Sequence, residues 1–116
     1  GIYSAKSVEN VPNGFLKKYF HKYGDNYAID DKIKSCVDFK HHDLLRDSFP
    51  SNCHLILCRN VMIYFTEDAK SRLYNNFYNA LHNDGILFVG STEQIILPQR
   101  YNFCPFRAFF YKKIHD

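Results

Sequence analysis

Three polar groups in this chain hold side chains able to do chemistry: His42-Asp43, Arg59-Asn60 and Ser91-Thr92-Glu93. Guanidinium, carboxamide and carboxylate together suit recognition of a polar or charged small molecule. No Ser-His-Asp or Cys-His arrangement emerges to activate a nucleophile. His41 and His42 invite a metal reading, but adjacent residues on a strand point to opposite faces. With no third ligand at useful spacing, no metal site is expected. The cysteines, Cys36, Cys53, Cys58 and Cys104, form no C-x-x-C pair, and the apolar run into Cys58 predicts buried thiols in a reducing compartment.

The elements that must carry these groups can be read from periodicity. Cys36-Val37-Asp38-Phe39-Lys40 alternates and predicts a strand leading to His42-Asp43. Cys53 to Cys58 is nearly continuously apolar, which suits a strand covered on both faces in a parallel sheet. Thr66 then offers an N-cap, and Glu67 and Asp68 favour the positive end of a helix dipole. Leu73, Phe77, Ala80 and Leu81 follow at helical spacing, so the helix should run to about Asn83, with Gly85 as its stop. Ile86 to Val89 is a second apolar strand ending at Gly90. Strand, helix, strand is the unit of a doubly wound α/β sheet, which binds ligands beyond the carboxyl ends of its strands. All three polar groups fall at such ends.

The flanks carry smaller elements. Val11 to Phe20 predicts a short helix with Phe15, Leu16, Tyr19 and Phe20 on one face. Gly24-Asp25-Asn26 predicts the turn of a small hairpin within residues 21–30. Tyr101 to Phe103 and Ala108 to Lys113 read as an antiparallel pair joined at Pro105.

Length and composition bound the rest. The 116 residues fit one domain, and 46% hydrophobic with 23% charged residues exclude wholesale disorder. Nine Tyr and eleven Phe supply large apolar surface. The net charge of +3 is scattered, without the stripe a nucleic-acid binder concentrates, so no nucleic acid is expected. No apolar run nears the ~18 residues of a membrane helix, so no membrane insertion is expected. A cytoplasmic location follows as the expectation.

Leu57-Cys58-Arg59-Asn60-Val61-Met62-Ile63-Tyr64-Phe65 resembles the signature of the CheR family, the S-adenosylmethionine-dependent methyltransferases of bacterial chemoreceptors. Other segments agree in order. Gly1-Ile2-Tyr3 resembles the family's G-x-Y, and Leu16-Lys17-Lys18-Tyr19-Phe20 its L-x-x-Y-F. Phe39 to Leu45 resembles its strand ending in Asn/Asp-Leu, and Asn83 to Gly90 its P-G-G-x-L-F-x-G. Two departures stand out. The family's upstream glycine loop ending in G-E-E and its ribose-binding acid have no counterpart here, and Ser91-Thr92-Glu93 stands where His-Ser-Glu is common.

The resemblance implies a partial class I methyltransferase sheet, Rossmann-like, lacking the first two strands and carrying a small β-subdomain at 19–40. Residues 1–116 would be the C-terminal part of the catalytic domain, a fragment not competent alone. The methyl donor would be S-adenosylmethionine, the product S-adenosylhomocysteine, and the acceptor a glutamate side chain of a chemoreceptor cytoplasmic region. Carried over by motif, Asp43 and Leu44 would line the adenosine site, Arg59 and Asn60 would close over the donor, and Tyr64 would lie near the reactive methyl. The alternative is a non-catalytic module that docks a receptor or partner. Loss of neighbouring strands would also bare a strand edge, so either self-association or a repositioning of the strand at Cys36–Lys40 against Cys53–Cys58 is expected.

Overall fold

The computed structural model describes residues 1–90 and 93–115. Residues divide into two compact units, 1–41 and 42–116. No helix among the described residues is long and apolar enough to cross a membrane.

In the first unit, β1 (Ile2–Ser4), β2 (Phe20–Tyr23) and β3 (Asn26–Ile29) form an antiparallel sheet in the order β1-β3-β2. The sheet thus takes in a strand upstream of residue 19. The β2–β3 hairpin turns where sequence expects, with Tyr23 opposite Asn26 and Gly24 at φ 63°. A type II′ turn needs Gly at that first central position. Ahead of it, α1 (Asn13–Tyr19) stacks Phe15 on Tyr19 at 6.1 Å. Only Val8 and Ala28 are buried apolar residues here.

The strand expected over Cys36–Lys40 is absent. A helical turn, α2 (Asp31–Lys34), precedes it, capped by the Asp30 side chain accepting from the Lys32 amide at 3.1 Å. Its winding continues: the amide of Cys36 donates to Ile33 and that of Val37 to Lys34, at 3.0 and 3.1 Å. Those donors are spent on the turn and cannot join a ladder. No described strand runs beside residues 38–40, and Phe39 is 93% exposed. Alternation without a partner makes no strand.

The second unit is an α/β sheet in the order β4-β5-β7-β6, from β4 (Cys53–Leu57), β5 (Leu81–Phe88), β6 (Phe103–Arg107) and β7 (Phe110–Lys113). β4 and β5 are parallel, joined through α3 (Glu67–Ala80). Thr66 caps α3, its hydroxyl accepting from the Ala69 amide at 3.2 Å. Leu73, Tyr74, Phe77 and Ala80 form the buried stripe that a 3.6-residue period requires. Met62, Leu73, Leu87, Val89 and Phe103 are wholly buried at the centre of the core.

Three expectations for this unit are corrected. The helix ends at Ala80 because Leu81 turns extended (φ −80°, ψ 139°) to start β5. Gly85 is therefore no helix stop; it lies inside β5 where β4 presses close. A Cβ there would sit 2.9 Å from the Cys53 carbonyl and 2.8 Å from that of His82. β5 advances five residues while β4 advances two, and this bulge brings the two backbones together. Next, Pro105 lies within β6 and not at the turn, which falls at Ala108-Phe109 with Phe109 at φ 66°. β6 is an edge strand, where a residue without an N–H is tolerated. Last, β4 is not covered on both faces: Ile56 is half-buried, whereas Leu55 and Leu57, on the other face, are 55% and 64% exposed. Its sole pairing among the described residues is with β5, so one edge of this apolar strand stays open.

Candidate functional site

The parallel pair β4/β5 ends with two loops side by side. Cys58, buried, still belongs to the sheet, its amide donating to Phe88 at 2.9 Å. Burial, with the charge of Glu93 behind it, pushes its thiol from 9.0 up to about 11. At neutral pH the thiol is protonated and unsuited to nucleophilic work.

Arg59 and Asn60 follow, both exposed. Asn60 takes φ 59°, a left-handed conformation that Asn adopts more readily than most residues. This bends the chain sharply out of the strand. Arg59 lies across Gly90 at the end of β5, where a Cβ would stand 2.7 Å from Nε and 3.2 Å from Cγ. Gly90 itself has φ 89°. Two features of this glycine, its conformation and its bareness, thus seat the arginine.

Beyond Asn60 the chain makes one 3₁₀ turn, Met62–Tyr64. Met62 is 2% exposed and roots the turn in the core. Ile63 and Tyr64 are turned outward, at 57% and 81% exposure. Tyr64 is therefore no core aromatic; its ring is available to a ligand. From the neighbouring loop, Glu93 accepts the Ile63 amide on Oε1 at 3.0 Å. Its other oxygen, Oε2, is buried without a hydrogen-bond partner among the described residues. A cavity of about 220 Å³ beside this tie is lined by Met62, Ile63, Lys70, Tyr74, Glu93 and Gln94. Ser91 and Thr92, the rest of that polar group, lie outside the described residues.

Asp43 and Leu44 occupy a tight turn. The Asp43 amide donates to Asp47 Oδ2 at 2.7 Å, and its Oδ1 accepts from the Leu45 amide at 3.0 Å. Its carboxylate shapes this loop and makes a long contact with Arg46 at 3.9 Å. Leu44 packs against the same core as Val61 and Phe65. Hence Arg59, Asn60 and Tyr64 are displayed by one loop, while Asp43 and Leu44 stand on a separate turn whose Leu44 rests on the shared core. His42 buries Nε2 without a hydrogen-bond partner among the described residues, its ring 4.9 Å from Phe49. No group of three metal-binding side chains occurs among the described residues.

Residues 1–110 match the family model described as CheR methyltransferase, SAM binding domain. The chain belongs to the CheR family. A chemotaxis protein methyltransferase of Listeria innocua is 36% identical over 113 residues, covering 97% of this chain and 43% of the relative. Its Listeria monocytogenes counterpart is 37% identical over the same coverage. Chemotaxis protein methyltransferase 2 of Vibrio cholerae is 35% identical over 99 residues, covering 82% of this chain and 34% of the relative. The chain spans less than half the length of these relatives. The β4-α3-β5 unit, with Arg59 and Asn60 just beyond the carboxyl end of β4, is consistent with part of the Rossmann-like sheet of a domain of this family.

Sequence reasoning gave Glu93 no role of its own. Its signal is its place: an acid five residues beyond the end of β5, beside the loop that follows β4. Gly90 as the seat of Arg59 was likewise invisible, because a glycine at a strand end has many uses.

Proposed function

We propose that the protein containing this chain methylates glutamate side chains on the cytoplasmic region of bacterial chemoreceptors. It acts in the cytoplasm and releases S-adenosylhomocysteine. The observation that carries this reading is the outward display of Arg59, Asn60 and Tyr64 at the carboxyl ends of parallel β4 and β5. Membership of the CheR family supports it.

The residues present fit the donor as one wall of a site. The buried, unpartnered Oε2 of Glu93 places a negative charge beside the loop, which suits a sulfonium cation. The donor, when bound, supplies an electrophilic methyl group. Asp43 and Leu44 would flank its adenine, with Arg59 and Asn60 beside the rest of the molecule. A glutamate acceptor, with a pKa of about 4.3, is already ionised at pH 7 and needs no base. The chain's task is then alignment and exclusion of water, which can be worth roughly 7–11 kcal/mol. Tyr64 sits outward to face the methyl, where its ring could contribute about 0.5–2 kcal/mol against a cation.

Two further readings belong to this proposal. The 116 residues alone bind the donor poorly, because they provide one wall only. Self-association runs through the open β4 edge with its exposed Leu55 and Leu57. Sedimentation of the chain with Leu55→Lys, expected to be monomeric, against the wild type, expected to associate, tests the second.

Calorimetry with S-adenosylhomocysteine tests the site. The intact protein should bind, and Asn60→Ala should weaken binding at least about tenfold, the equivalent of ~1.4 kcal/mol. Equal affinity in both would remove the loop from the donor site.

A further inference from the structure

We propose that Glu93 is a positioning residue for the reaction, holding the loop that displays Asn60 and Tyr64 by gripping the Ile63 amide. This rests on the reading of that loop as the donor-side wall. The bond from the Ile63 amide to Oε1 is 3.0 Å and ties chain positions thirty apart. It bridges the loops that leave two adjacent parallel strands.

The loop needs such a tie. The backbone of its turn is held by 3₁₀-type contacts, Tyr64 donating to Val61 at 3.3 Å and Phe65 to Met62 at 3.1 Å. Met62 roots it from below, but Tyr64 at 81% exposure has almost no packing to fix it. The backbone N–H just before Tyr64 is held instead, and holding it fixes where the tyrosine projects. The carboxylate does not lie loosely on the surface. Oε2 has no solvent exposure to speak of and no hydrogen-bond partner among the described residues, a costly state that an apolar or amide side chain would relieve. The charge reaches both Cys58 and Tyr74, whose thiol and hydroxyl it helps hold in their protonated forms. Glu93 thus lies within electrostatic reach of Cys58 and lines one cavity with Tyr74, while its contact to the loop goes through backbone. It acts on Tyr64 indirectly.

Amide hydrogen exchange of the intact protein, read at Ile63, is the direct test. Glu93→Ala should speed Ile63 exchange by about tenfold, the value of one net hydrogen bond, with Leu87 in the core unchanged. Glu93→Gln keeps the accepting oxygen and should restore protection. In labelled-methyl kinetics Glu93→Ala should lower kcat by roughly tenfold to a hundredfold with KM within about threefold, the mark of misplacement. Unchanged Ile63 exchange in Glu93→Ala overturns the proposal whatever the activity. If the wild type itself neither binds an adenosyl ligand nor transfers methyl, the functional reading fails, and exchange still decides the role of Glu93 in the loop. Should Glu93→Ala not fold, Glu93→Asp withdraws the carboxylate by one methylene and must also speed Ile63 exchange; protection at the wild-type level overturns the proposal.

Discussion

Replacing Gly90 with alanine probes the junction where Arg59 meets β5, and its cost can be worked out from two separable parts. The first is conformational. At φ 89° an L-residue is strained, by about 1–2 kcal/mol. The second is contact: the new Cβ would stand 2.7 Å from Arg59 Nε, 3.2 Å from Cγ and 3.4 Å from Cδ. Those atoms belong to a flexible side chain, so Arg59 can swing away, losing its seat without breaking the sheet. A double-mutant cycle separates the parts. Gly90→Ala should cost roughly 2 kcal/mol in otherwise unaltered protein, lowering Tm by about 4–8 °C for each kcal/mol in a unit of this size. In an Arg59→Ala background only the conformational part remains, leaving a coupling of at least about 0.5 kcal/mol. Denaturant titration of the four proteins gives each corner. Identical costs of Gly90→Ala with and without the arginine side chain would refute the packing of Arg59 on Gly90, and with it the argument that β5 fixes the arginine.

Other consequences follow from the same core and loop. Met62→Ala removes a side chain that is 2% exposed, so unfolding should become easier by about 2–5 kcal/mol in a chemical melt; a change near zero would mean that the turn is not rooted there. Alkaline stability should fall: burial, chiefly, lifts Cys58 from 9.0 to about 11 and Tyr74 from 10.0 to about 12. The unfolded chain gives up these protons first, so their stabilisation is whole below pH 9 and fades as pH rises towards 12, by on the order of 2 kcal/mol apiece. Thermal melts at pH 8 and pH 11 measure it, and Tyr74→Phe should remove part of the difference. Tyr64→Phe should reduce turnover of the intact enzyme more than donor affinity; unchanged turnover removes the hydroxyl from the mechanism.

Much of this was legible in the residues, and the failures have local causes. The β4-α3-β5 unit was readable because a capping Thr66, a buried stripe at helical spacing and two apolar runs all agree. The hairpin was readable because Gly24 can take a conformation that few residues share. Cys36–Lys40 misled because alternation signals a strand only where a neighbour exists to receive its hydrogen bonds, while Asp30 capped a helical turn that consumed those donors. Gly85 misled because a glycine before an apolar strand marks either a helix stop or a close backbone approach, and only the position of the Cys53 carbonyl distinguishes them. At the site, motif resemblance placed Arg59, Asn60 and Tyr64 at a strand end, and the loop does display them there. What no pattern could supply was the lateral support: Met62 below, Gly90 beside Arg59, and Glu93 across from Ile63. Those are tertiary contacts between segments some thirty residues apart.

Transfer of a labelled methyl group from S-adenosylmethionine to a chemoreceptor cytoplasmic fragment, followed by mild base, tests the central claim most directly. An ester on a glutamate side chain is cleaved by base, whereas an N-methyl group is not. The intact protein should incorporate label that base releases as methanol, with Asn60→Ala largely abolishing it. Label that withstands base, or incorporation undiminished by Asn60→Ala, would contradict it.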